Sequence, residues 1–390
     1  MTEMFTIAPD DPTAQQHSAE LTKQIRAAID AGQGWVSFAD YMQQCLYTPG
    51  LGYYSAGSQK LGRGGDFTTA PESSPLFGAA IATHLVDVHK QIPDYAILEF
   101  GAGSGRLAEA ILLQLEELGA LPSRYYLLEP SADLQQRQHT LLEQLPEPLR
   151  QRVYWVREIP ANFEGVMLAN EVCDAMPVHL LDFGDEEVRE VGVSSNQQGF
   201  VWQVQPLSSS RLKQKAEQIQ SQLNARPYRT EVCLFATDWL KTLAHKLSRG
   251  LILLIDYGYS FEEYYRPERR QGSLRCYYRQ QAHDNPLILP GLQDITAHVD
   301  FTSLADTAFA AGLDVNSFQE QADFLVAGDI TALAAKLQQE SETAEWLQQS
   351  SALKQLLLPG AMGHQFKVLS LSRDMDVLPR LKFSDRRYQL

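Results

Sequence analysis

The chain has 390 residues, 44% hydrophobic and 21% charged, an ordinary globular composition long enough for one large α/β domain with additions or for two domains. Its formal net charge of -15 argues against a nucleic-acid backbone as the main partner, because phosphate binding needs clustered Lys and Arg. Cys45, Cys173, Cys233 and Cys276 form no Cys-x-x-Cys pair, which argues against a zinc site or a disulfide framework and fits free thiols in a reducing cytoplasm. The start, Met1 to Ile7, lacks the features of a signal peptide or presequence, and no stretch approaches the roughly 20 apolar residues that insert into a membrane. A cytoplasmic location is expected.

Residues up to about Asp11 read as a flexible leader. Leu21, Ile25, Ala28 and Ile29 then recur at helical spacing, and Ser37, with Asp40 three residues on, caps a second helix to about Leu46. The glycine- and aromatic-rich stretch from Tyr47 to Pro71 is too rich in glycine for a helix or a central strand. Pro75 opens a helix to about His89. Short apolar strands follow at 97–100, 125–128, 153–156, 165–169 and 251–255, with helices at 107–118 and 132–145. This alternation predicts a parallel, doubly wound sheet. Between the fourth and fifth strands, 178–183, 188–193 and 200–205 alternate like an antiparallel meander, with helices at 212–223 and 236–247. Residues 261–299 are irregular and polar. A helix near 301–311, a strand near 313–318, helices to about Leu357 and a final strand at 366–371 complete the pattern.

The strongest chemical feature is Glu99-Phe-Gly101-Ala102-Gly103-Ser-Gly105 between a strand and a helix. Glycines allow positive φ and close approach of a ligand at the carboxyl end of a strand. A dinucleotide fingerprint would place its third glycine where Arg106 stands, and here an acid precedes the loop. The pattern resembles the first motif of class I methyltransferases, which wraps the methionine part of S-adenosylmethionine. Glu129 ends the next strand, 24 residues beyond Gly105, where a carboxylate can accept hydrogen bonds from both ribose hydroxyls.

Asn170-Glu171-Val-Cys173-Asp174-Ala-Met176-Pro177 follows the fourth strand. Glu171 and Asp174 would share a face of a helical turn. Two carboxylates there suit a guanidinium, which stays protonated because its pKa exceeds about 12, and could hold it bidentately. The alternative is that Asp174 caps a turn and Glu171 is solvated. Asp256 and Tyr257 follow the fifth strand and should open into the cleft. His298 lies between Asp294 and Asp300, either as a base with its pKa raised by the acids or as a structural imidazole. No metal-ligand spacing is present.

Several stretches together resemble the MidA family: Tyr47 to Tyr54, Gly65 to Glu72 with Phe77-Gly78, Glu99 to Gly105, Asn170 to Pro177, Ile255 to Gly258 and Gln293 to Phe301. The mitochondrial members of that family include an arginine methyltransferase that helps assemble respiratory complex I. The resemblance implies a seven-stranded, Rossmann-like class I methyltransferase core, S-adenosyl-L-methionine as cofactor, and methylation of an arginine on a protein partner, possible targets including a respiratory-complex subunit. Without a presequence the chain looks like a bacterial relative, and Cys173 and Met176 depart from the family pattern. The expected cofactor residues are Glu99, Gly101, Ala102, Gly103, Gly105, Glu129 and Asn170, with Gly65 and Pro71 from a flap ahead of the core. The expected catalytic residues are Glu171, Asp174 and His298, and the expected substrate-binding residues Asp256, Tyr257, Asp294 and Asp300. The expected layout is an N-terminal helical region with the flap (1–92), a core (93–177 and 250–372), an inserted meander with helices (178–249) and a tail (373–390). Transfer to a small molecule or another side chain, and a cofactor-binding assembly factor, remain alternatives. Arg106 and the loop spacing disfavour a nicotinamide oxidoreductase.

Overall fold

A computed structural model describes residues 11–55, 69–185 and 187–390. The leader and Gly65 with the rest of the flap tip, Gly64 to Asp66, lie outside the described residues. The chain forms two compact units. One comprises Gln59–Asp174, Ala236–Tyr264 and His298–Leu390, the other Met1–Ser58, Ala175–Phe235 and Tyr265–Ala297.

The first unit is built on seven principal strands: β1 (Ala96–Phe100), β2 (Arg124–Leu128), β3 (Val153–Trp155), β4 (Phe163–Asn170), β5 (Leu247–Tyr259), β6 (Asp314–Glu320) and β7 (Phe366–Arg373). Their order across the sheet is β3-β2-β1-β4-β5-β7-β6, with a two-residue strand, Val299–Asp300, added beside the end of β5. The pairs from β3 to β5 are parallel, and β7 runs antiparallel to both β5 and β6. This is the expected class I, Rossmann-like fold. Leu251 to Ile255 and Val166 to Ala169 are almost wholly buried, which is why both read as unbroken apolar runs: helices cover both faces of a parallel sheet. The strand order reverses between β1 and β4, so their carboxyl ends lie side by side, with Phe100 opposite Ala169.

Helices Pro75–Gln91 and Arg106–Glu117 pack closely in this unit. A Cβ on Gly78 would meet the Ala110 Cβ at 2.6 Å, so the approach requires glycine there. Strand β5 extends well beyond the apolar run 251–255. Its polar ends are recruited by pairing, Arg249 with Glu164 of β4 and Asp256 with Lys367 of β7. The C-terminal segment covers the outer strand: Arg386 N donates to Phe318 O at 2.7 Å and Asp385 accepts from Phe318 N at 3.1 Å. Those bonds occupy backbone groups that an open sheet edge would expose.

In the second unit, helices Pro12–Ala31 and Phe38–Tyr47 accompany an antiparallel sheet of His179–Phe183, Val188–Asn196, Gly199–Gln205, Tyr228–Val232 and the short Val36–Ser37. The meander forms as its alternation predicted. Ser37 caps as expected, its Oγ accepting from Asp40 N at 3.0 Å and donating to Asp40 Oδ2 at 2.6 Å. Tyr228–Val232 was not anticipated. Its buried Glu231 accepts from Ser273 N and Oγ and from Leu274 N, so an inward residue looks like a surface one. The stretch expected to be irregular contains a three-stranded sheet, Gln281–His283, Arg275–Tyr278 and Asp294–Thr296, whose strands are too short to show periodicity.

Candidate functional site

Strand β1 delivers Glu99 into the interior, 2% exposed, where Tyr125 Oη donates to its Oε2 at 2.6 Å. Burial pushes the Glu99 carboxyl up to about 7; the Tyr125 bond opposes this and the Glu129 charge adds to it. The chain then turns through Gly101 (φ 61°), Gly103 (φ 55°) and Gly105 (φ 90°), left-handed backbone conformations that favour glycine. Gly101 N donates to Leu128 O at 3.0 Å, which fastens the loop to the end of β2, and Ala102 is buried within it. Ser104 Oγ donates to Glu72, and the half-exposed Arg106 lies 3.4 Å from the same carboxylate. At the end of β2, Glu129 accepts from Ser131 N at 3.0 Å and from Gln138 Nε2 at 3.4 Å. Pro71 sits in the short helix Ala70–Ser73 and is half-buried.

Two buried carboxylates flanking a glycine loop would repel a pyrophosphate. They suit a ligand carrying hydroxyls and an ammonium group. At the adjoining end of β4, Asn170 Oδ1 is buried without a hydrogen-bond partner, an acceptor that calls for a donor. S-adenosyl-L-methionine offers such groups: Glu129 would hold the ribose hydroxyls, and the loop with Glu99 would hold the methionine end.

After β4 the chain does not turn into a helix. Glu171 has φ 54°, so Glu171 and Asp174 do not share a helical face as their spacing had suggested. A left-handed backbone at a residue with a Cβ costs about 1–3 kcal/mol and persists only where the surroundings impose it. Here β5 imposes it. Glu171 N donates to Ile255 O at 2.9 Å. Asp256, 1% exposed, accepts from Cys173 N at 2.9 Å and Asp174 N at 3.2 Å through Oδ2, and from Tyr257 N at 2.9 Å through Oδ1. Burial, with the charges of Asp174 and Glu171, holds the Asp256 carboxyl well above the usual carboxylate range. Tyr257 Oη donates to Asp174 Oδ2 at 2.5 Å, and Asn170 Nδ2 donates to Glu171 Oε1 at 3.1 Å. Glu171 is half-buried, whereas Asp174 is only 6% exposed.

Asp294, His298 and Asp300 each have partners of their own. The His298 ring packs edge-on against Tyr257 (5.3 Å) and Tyr259 (5.1 Å). Asp300 caps helix Phe301–Ala310, accepting from Ser303 N at 3.0 Å. Asp294 belongs to the other unit, where it is buried and accepts from Tyr54 Oη at 2.9 Å. In that unit Tyr47 stacks on Tyr54 at 5.6 Å and donates to Ala175 O at 2.9 Å. Among the described residues, no group of three or more His, Cys, Asp or Glu could hold a metal ion. The sequence reading missed Tyr125 and Gln138. Gln138 carried a signal, since it continues the apolar spacing from Leu134 to Leu142 on an otherwise polar helix.

A family model described as "Putative S-adenosyl-L-methionine-dependent methyltransferase" matches residues 80–319. The chain belongs to this family. A protein from Burkholderia thailandensis, crystallised with S-adenosyl-homocysteine, is 37% identical and superposes with a TM-score of 0.92 over 98% of this chain and 100% of that one. Mouse "Protein arginine methyltransferase NDUFAF7, mitochondrial" is 27% identical, over 87% of this chain and 81% of its own length. The Drosophila melanogaster homolog is 28% identical, over 95% and 90%. The resemblance to MidA proteins holds in these relatives, and the chain is an S-adenosyl-L-methionine-dependent methyltransferase of class I fold.

Proposed function

We propose that the enzyme methylates the guanidinium group of an arginine in a protein substrate. The observation that carries this reading is the group of three carboxyls, Glu171, Asp174 and Asp256, at the carboxyl ends of β4 and β5 beside the glycine loop. A guanidinium is always charged in this range and presents a planar fork of donors. Glu171, the most exposed of the three, would accept two of its N–H bonds, and Asp174, steadied by Tyr257, would stand beside the same cation. One nitrogen then stays directed at the methyl donor, and aligning that attack lowers the barrier. S-adenosyl-L-methionine, when bound, supplies an electrophilic methyl carbon. The proton released by the methylated nitrogen would pass to this carboxylate group.

The names of the mammalian and insect relatives support an arginine acceptor. We read the setting as a reducing one such as the cytoplasm, since all four cysteines are free. In a labelled-methyl assay, Glu171→Gln should lower transfer by about 100-fold or more while cofactor affinity stays within about 3-fold. Unchanged turnover would remove Glu171 from the reaction.

A further inference from the structure

Gln138 lies on helix Ala132–Leu142, between Leu134 and Leu142 on its buried side, and is itself 0% exposed. Burying a primary amide is unfavourable unless its polar atoms are bonded. Its Nε2 donates to Gly103 O at 2.9 Å and to Glu129 Oε2 at 3.4 Å, and its Oε1 accepts from Trp155 Nε1 at 2.9 Å. The indole N–H can only donate, so the amide oxygen must face Trp155. The amide NH2 must then face the two acceptors, with one hydrogen for each. Trp155 is steadied in turn by stacking on His139, ring centroids 3.6 Å apart. The loop closes directly on this side chain: a Cβ on Gly105 would stand 3.4 Å from both Cα and Cγ of Gln138.

We infer that Gln138 is a positioning residue for the cofactor. One buried amide ties the glycine loop, which takes the methionine end, to the carboxylate that takes the ribose, and so fixes the spacing between the two halves of the site. Trp155 sets the orientation in which the amide can do this. The inference rests on the cofactor assignment of the loop and of Glu129, but concerns residues outside the motifs that define them.

The test is a double-mutant cycle read by calorimetric affinity for S-adenosyl-homocysteine, which binds without turnover, with the melting temperature of the ligand-free protein as a control. Gln138→Met keeps the length and apolar bulk and removes the hydrogen bonds. It should weaken binding by about 10-fold, and Glu129→Gln by a similar factor. If Gln138 acts through Glu129 and the loop, the double variant should lose about 10- to 20-fold, well short of the roughly 100-fold product. Trp155→Phe leaves Gln138 in place but removes the donor that orients it, and should weaken binding by about 3-fold. It decides the matter alone if Gln138→Met fails to fold. A full multiplicative loss in the double variant would overturn the inference. So would a lowered melting temperature with unchanged affinity in Gln138→Met, or unchanged affinity in Trp155→Phe.

Discussion

The carboxylates at the two neighbouring strand ends are held in different ways. At the ends of β1 and β2, Glu99 accepts from the Tyr125 side chain and Glu129 from Ser131 N and the Gln138 side chain, with the glycine loop between them in the chain. At the ends of β4 and β5, Asp256 is bonded by three backbone N–H groups, and the loop it grips carries Glu171 in a left-handed conformation beside Asp174. In the second group, burial and then the charges of Asp174 and Glu171 hold the Asp256 carboxyl well above the usual carboxylate range. Crowding of that kind is relieved by a cation, and on the proposed function the glycine loop is the cofactor end and this group the acceptor end.

The contrast can be broken at several points. Asp256→Ala has the largest expected effect. It leaves three buried N–H groups without an acceptor and should cost about 2–5 kcal/mol, read as a fall in the urea midpoint, with loss of methyl transfer. A change below about 1 kcal/mol would show that another group holds the loop. Glu129→Gln should act at the other end, weakening cofactor binding by about 10-fold while kcat at saturation stays within about 3-fold. A fall in kcat instead would blur the two ends.

Asp300→Ala removes a helix cap and should lower stability by about 1 kcal/mol; an added rise in substrate KM would return Asp300 to the acceptor end. A further effect concerns pH. Glu99 rises from an ordinary 4.5 to about 7 on folding. Its contribution to stability is fully present below pH 4.5 and is lost as pH rises through about 7. Glu99→Gln should flatten the stability profile across that window, and an unchanged slope would mean that Glu99 ionises normally.

The cofactor end was legible in the sequence because its parts are local. A strand, a glycine turn and an acid at the next strand end follow one another, and the apolar runs of β1, β4 and β5 stand out because helices bury both their faces. The acceptor end was legible only in composition. The sequence singled out Glu171 and Asp174, but the helical turn expected of them does not form, because β5 fixes that loop from more than 80 positions away in the chain. Asp256 was expected to open into a cleft and instead turns onto backbone N–H groups. Asp294, His298 and Asp300 are close in sequence, and each has its own partners: Asp294 accepts from Tyr54, Asp300 caps a helix and His298 packs on Tyr257 and Tyr259. Spacing along a chain specifies contact only within one helix or strand.

The central claim is that the acceptor is an arginine side chain. It is tested most directly by incubating the enzyme and methyl-labelled S-adenosyl-L-methionine with a lysate of the source organism, then locating the label by mass spectrometry. The account predicts label on arginine residues of protein, lost with Glu171→Gln. Label confined to small metabolites, or carried on protein side chains other than arginine, would contradict it.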